Sequence, residues 1–138
     1  MFDIIAIDWG SVRFGLAFGS QESGLVLPCQ YDCFTLNIWS ILEKELATRK
    51  DIKKIVVGIP LTFNLSPTKT TFAVVEFISE FGKVFPNIAI HKINERESTK
   101  KAFDKISIFK DKKTKVNVFK HDLNHNSACE ILLQYLKN

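Results

Sequence analysis

The sequence has no stretch approaching the ~18 consecutive apolar residues of a membrane-spanning helix, so no membrane role is expected. A secretory leader is also missing: Met1 runs straight into a strand-like segment that carries Asp3 and Asp8. A cytoplasmic protein is therefore expected. Cysteine is scarce. Cys29, Cys33 and Cys129 are odd in number, and Cys29-x-x-x-Cys33 has no second pair or histidine near it at zinc spacing. Free thiols in a reducing compartment are the expectation, with Cys129 a small apolar filler on a helix. No charge of one sign dominates. Lys+Arg number 19 against 15 Asp+Glu, a net charge of +4, which is compatible with a polyanionic partner without requiring one. Internal repeats and low-complexity tracts are absent.

What is present describes one folded unit. The 138 residues suffice for a single domain, 1–138, with a proper core. A hydrophobic share of 46% against 25% charged excludes a disordered chain. Residues 2–8, 13–19 and about 24–30 read as three strands joined by short Gly-bearing turns. From about Thr35 the period becomes helical, with Ile38, Ile41, Leu42 and Leu46 apolar and Glu43, Lys44 and Glu45 polar between them. Residues 55–59 read as a buried strand closed by Pro60. Residues 61–71 are loop-like. A helix is expected to start near Ser66 or Thr68, with Phe72, Val75, Ile78 and Phe81 on one face, Val74 and Phe77 broadening it, and Gly82 and Pro86 ending it. A strand over 87–93 follows, and residues 98–103 suit a short helix. Residues 104–121 are Lys-rich and unassigned, with 110–115 read as a solvated loop. Ala128, Ile131, Leu132, Tyr135 and Leu136 mark a final amphipathic helix. The expected fold is α/β: a mixed five-stranded sheet, antiparallel meander first and parallel strands after, flanked by helices.

Asp8 ends the first apolar run, just before the turn Trp9-Gly10-Ser11. A carboxylate there is costly unless paired or bound to a cation. It is either a turn or capping aspartate, or a metal ligand. Glu95 sits just past the carboxyl end of the last predicted strand, where ligands of such sheets bind. If strands one and four are neighbours and the last lies beside them, Asp8 and Glu95 share one edge. Two converging carboxylates repel unless a cation lies between them, and Mg²⁺ or Mn²⁺ suits hard oxygen ligands. Equally, Asn94-Glu95-Arg96-Glu97 reads as a polar strand end.

The stretch Ile7-Asp8-Trp9-Gly10-Ser11-Val12-Arg13-Phe14-Gly15-Leu16-Ala17 resembles the D-x-G-x-x-R-x-G-x-A opening of the YqgF (RuvX) family. Val57-Gly58-Ile59-Pro60-Leu61 resembles its V-G-x-P-x segment. Asn94-Glu95-Arg96-Glu97-Ser98-Thr99 resembles its D-E-R-x-T-T box, and Ser127-Ala128-Cys129-Glu130-Ile131-Leu132 its terminal helix. The resemblance covers nearly the whole chain in order. It implies an RNase H-like fold and a nuclease, acting on pre-16S ribosomal RNA or on Holliday junctions, whose three acidic residues hold a divalent metal. Asp8 and Glu95 take the first two positions. The third falls on Asn124, and Asn94 stands where the family has Asp, so the site has lost negative charge. Asp122 is the substitute to weigh, although a helix-capping role already accounts for it.

Arg13, Arg96, Lys100 and Lys101 are candidate nucleic-acid contacts, and the Lys-rich run is either a backbone-tracking segment or a solvated loop. His121 and His125, flanking Asn124, are proton shuttles or structural histidines. Trp9 either stacks on a base or covers the core edge. Two functions follow. The first is a Mg²⁺- or Mn²⁺-dependent nuclease, with precursor rRNA ranked ahead of junction DNA, possible ribosome association, and a monomeric or weakly dimeric state. The second is a non-catalytic relative that binds nucleic acid or a ribosome-assembly partner.

Overall fold

Four consecutive apolar residues, Ile4 to Ile7, have no solvent exposure at all. A strand buried on every side chain must be covered on both faces, and β1 (Ile4–Asp8) is the central strand of the sheet. The computed structural model describes residues 1–60, 68–94 and 123–137, with side chains in the last stretch from His125 onward. The readings of residues 61–67, of the helix over 98–103 and of the Lys-rich stretch 104–121 lie outside these residues.

The remaining elements are β2 (Gly15–Gly19), β3 (Val26–Pro28), a 3-10 turn (Thr35–Asn37), α1 (Ile38–Thr48), β4 (Lys54–Ile59), α2 (Lys69–Val84), β5 (Ala89–Asn94) and α3 (Leu123–Lys137). The sheet order is β3-β2-β1-β4-β5. Strands β1, β2 and β3 form an antiparallel meander, while β1, β4 and β5 run parallel. The expected mixed five-stranded α/β architecture is therefore the observed one, with β1, β2 and β3 shorter than the pattern suggested, β4 beginning one residue earlier and β5 shifted toward Asn94.

Strand alternation divides the core. Ile5, Ile7, Leu16, Phe18, Ile55 and Val57 face α1 and α2 and meet Ile38, Leu42, Val74, Phe77 and Phe81. Ile4, Ala6, Ala17 and Val56 face the other way and meet Ala128, Ile131 and Leu132 of α3. Ala6, Ala17 and Ala128 in this layer, with Gly19 of β2, let α3 sit close to the sheet. A Cβ at Gly19 would lie 2.6 Å from Leu132 Cδ2.

Helix α2 departs from the expected face. Thr71, Val74, Phe77 and Phe81 are buried, while Phe72 and Val75 are exposed. Apolar residues lie nearly all round this helix, so spacing alone allows two stripes. Local polar chemistry selects one. Thr68 caps the helix by accepting from the Thr71 backbone N–H, Thr71 Oγ1 accepts from the Thr68 N–H, and the Thr71 hydroxyl donates to the Pro60 carbonyl. That turns Thr71 inward. Gly82 lies inside the helix, which continues to Val84 and stops just before Phe85 and Pro86. In α1, Glu45 is buried rather than outward: its carboxylate accepts from the Tyr31 hydroxyl at 2.7 Å and pairs with Arg49 at 3.1 Å. Among the described residues no helix is long and apolar enough to cross a membrane.

Candidate active site

Asp8 is half-buried at the carboxyl end of β1, in register with Gly15 of β2. Its place in the alternation is that of Ile4 and Ala6, on the α3 face of the sheet. The chain must then reverse within a few residues. Gly10 makes this possible, because a Cβ there would lie 2.0 Å from the Arg13 carbonyl oxygen. The turn is tied from outside: the Thr35 hydroxyl donates to the Gly10 carbonyl at 2.6 Å, and the Thr35 N–H donates to the Val12 carbonyl at 2.8 Å. Trp9 packs on Phe77 with ring centroids 5.3 Å apart, so it covers the core edge. Arg13 is exposed, with its guanidinium 5.1 Å from the centre of the Phe34 ring.

Gly10→Ala is accordingly expected to displace the turn that follows Asp8 and to cost about 2–3 kcal/mol, since the obstacle is backbone. Gly19→Ala meets the side-chain end of Leu132 most closely, with the nearest backbone atom, the Leu25 carbonyl oxygen, at 3.4 Å, and is expected to cost less. Denaturant melts of the two variants check the order.

The registers bring three strand ends to one edge. Ile7 pairs with Val57, Val57 with Lys92, and Ile59 with Asn94. The ends of β1 and β5 are thus separated only by β4, about 10 Å across two strand spacings. His91 and Ile93 of β5 lie on the α3 face, His91 with its ring 5.1 Å from that of Tyr135. Helix α3 runs so that its first turn is at this same edge: His125 contacts Leu16, which pairs with Ile7, whereas Leu132 abuts Gly19, which pairs with Ile4. Asn124, in the first turn of α3, therefore starts on the edge and face that carry Asp8. Its side chain, like Glu95, Arg96, Lys100, Lys101, His121 and Asp122, lies outside the described residues.

His125 has the role the sequence left open. It is buried, its Nδ1 accepts from the Leu16 N–H at 3.0 Å, and its Nε2 is 2.8 Å from the Tyr31 carbonyl. An accepting Nδ1 requires the proton on Nε2, which then donates to Tyr31. With both nitrogens committed to backbone, His125 is a brace between α3, β2 and the segment after β3, not a proton shuttle.

The fold also assembles a group that sequence spacing did not reveal. Among the described residues, the one set of three side chains close enough to hold a metal is Cys29, Cys33 and His125, all buried, with ligand atoms within 4.8 Å of one another. The histidine arrives from far along the chain. The Cys pair was the only local signal. Sulfur and imidazole suit soft or borderline ions, not Mg²⁺. None of the three cysteines is in a disulfide. The Cys29 and Cys33 sulfurs are 3.8 Å apart. The hydrogen bond from Cys33 pulls the Cys29 thiol down to about 7, against the opposing effect of burial. The same bond and burial push Cys33 up. Burial and the bond to Glu45 push the Tyr31 hydroxyl up as well.

Comparison with known proteins gives a consistent result. The model of the family described as RuvX, Holliday junction resolvase, matches residues 3–138. A protein of Chlorobium phaeobacteroides is 30% identical over 135 residues, covering 98% of this chain and 92% of its own length. One from Flavobacterium psychrophilum is 26% identical over 100 residues, 72% of each chain. One from Rickettsia rickettsii is 26% identical over 137 residues, 98% of this chain and 88% of its own. Each of the three is described as "Putative pre-16S rRNA nuclease".

Proposed function

The chain belongs to the RuvX family, and from that premise, which supports a nuclease function in general, we propose a divalent-metal-dependent nuclease that trims the 5′ end of pre-16S ribosomal RNA. The observation that carries this reading is the convergence of the end of β1, the end of β5 and the start of α3 on one edge and one face of the sheet. Asp8 is the anchor. Glu95, which follows the end of β5, supplies the second carboxylate by the family resemblance. Asn124 supplies an amide oxygen where a third carboxylate is expected, with Asp122 as its substitute. These oxygens form a hard donor set that fits Mg²⁺ or Mn²⁺. Such an ion supplies activation of water and stabilisation of the leaving oxygen. The chain's own contribution is to hold the carboxylates and to offer Arg13, Arg96, Lys100 and Lys101 to the phosphate backbone. A single domain over 1–138, acting in the cytoplasm as a monomer or weak dimer, completes the reading.

The test is cleavage of a 16S precursor and of a four-way DNA junction with Mg²⁺ or Mn²⁺. Asn124→Asp is expected to lower the metal concentration needed by about tenfold and to raise the rate, because divalent affinity follows ligand charge. Cleavage of the junction but not the precursor would replace RNA by DNA as substrate.

A second reading is favoured by Asn94 and Asn124, which remove charge from two family positions: a member that binds nucleic acid or an assembling ribosome without cutting. Binding without cleavage under either metal, unchanged by Asn124→Asp, would select it.

A further inference from the structure

The segment after β3 carries chemistry that the nuclease reading does not use. Cys29 and Cys33 are both essentially buried, with sulfurs 3.8 Å apart. The residues between them form neither helix nor strand. The two thiols are not equivalent. A cavity of about 140 Å³ is lined by Phe18, Cys29, Tyr31, Glu45 and Arg49 among others, and Cys33 is not on its wall. Of the two cysteines, Cys29 is therefore the one that borders the cavity, and Cys33 lies in sulfur contact with it.

We propose that Cys29 and Cys33 form a peroxide-reactive dithiol, with Cys29 the attacking sulfur and Cys33 the resolving one. The Cys29 thiolate attacks one oxygen of a hydroperoxide, the O–O bond breaks, and a sulfenic acid forms at Cys29 as hydroxide or alkoxide leaves and takes up the proton that Cys29 gave. Cys33 then attacks the Cys29 sulfur. The S–O bond breaks, the S–S bond forms, and the hydroxyl leaves as water with the Cys33 proton. The pair loses two electrons and the peroxide gains them. The hydrogen bond that holds Cys29 down to about 7 supports a standing thiolate population near neutrality.

A metal site is the competing use of the same residues. It is disfavoured because His125 already spends Nδ1 on the Leu16 N–H and Nε2 on the Tyr31 carbonyl. Ligation would break one of these bonds. A disulfide breaks neither directly, but it does reach the brace. The sulfurs must close to about 2.05 Å, and Tyr31, which holds His125, lies inside the loop being drawn together. That carbonyl also lies 3.7 Å from the Cys33 sulfur. A crosslink across so short a loop restricts the unfolded chain little, which suits a reversible mark better than a staple.

The experiment treats the folded wild-type chain with hydrogen peroxide and maps peptides without reduction. The expected product is a Cys29–Cys33 link, lighter by two hydrogens and reversed by dithiothreitol, with Cys129 still free. Cys33→Ser is expected to accumulate a sulfenic acid at Cys29 that a cyclic 1,3-diketone captures, and Cys29→Ser to give no adduct at Cys33. Faster amide exchange at Leu16 in the oxidised protein is the expected sign of a loosened brace. Oxidation of Cys129 while the pair stays reduced would overturn the proposal. So would one zinc ion per chain that protects both thiols. A link that leaves Leu16 exchange unchanged would overturn the coupling to α3. None of these readouts depends on whether the chain cuts nucleic acid.

Discussion

His125→Ala is expected to destabilise the protein by about 3 kcal/mol, because it strands a backbone N–H and a backbone carbonyl that the imidazole joins. For a chain of this size that is roughly 10 °C in Tm. The cost comes from leaving buried polar groups unsatisfied rather than from the bonds themselves. Leu16, the second residue of β2, has no solvent exposure, so water cannot easily take the place of the ring at its N–H. The small cavity left by the ring adds to the cost. Denaturant melts measure the effect, with Tyr135→Ala as the comparison: Tyr135 is half-buried near the other end of α3 and contacts His91. If His125→Ala falls within about 0.5 kcal/mol of wild type, the brace is not what holds α3, and surface-like behaviour would have to be explained instead. Activity is expected to fall in the molecules that remain folded, since His125 follows Asn124 and grips the residue next to Gly15, the partner of Asp8.

Asp8→Asn is the second large effect, and it separates chemistry from fold. The amide keeps the shape and an oxygen but removes the charge that a divalent ion requires. Cleavage is expected to drop about a hundredfold or more. Asp8 is only half-buried at a strand end, so melting is expected to move by no more than a few degrees. Cleavage at the wild-type rate in Asp8→Asn would remove Asp8 from the site and leave the strand-end convergence without its anchor.

Much of this arrangement was legible in the residues. The unbroken apolar run before Asp8 marked a strand covered on both sides, and the spacing of Ala128, Ile131 and Leu132 marked the face of α3 that is buried. The condition for a shared acidic edge, β4 beside β1 and β5 beside β4, is met by the sheet order. What stayed hidden depends on partners distant in sequence. Glu45 reads as a surface residue until Tyr31 and Arg49 are placed against it. The stripe of α2 is ambiguous until Thr71 reaches the Pro60 carbonyl. The Cys29–Cys33 pair has no third member until α3 folds back across the meander. Glu95 and Asp122 lie outside the described residues, so their roles rest on the family resemblance.

The docking of α3 also sets an order of events during synthesis. Ile4, Ala6, Ala17 and Val56 leave the ribosome early, yet the helix that covers them is the last element described. At ordinary rates of chain synthesis, several seconds pass between the two, roughly 5–20 s per hundred residues. For that interval the α3 contacts to one face of the nascent sheet are still to come, while the opposite face can already close over α1 and α2. A nascent chain at this stage has a half-sealed core and only the Asp8 side of its site. The Asn124 end of that edge therefore joins Asp8 late and in one step, when the final helix lands.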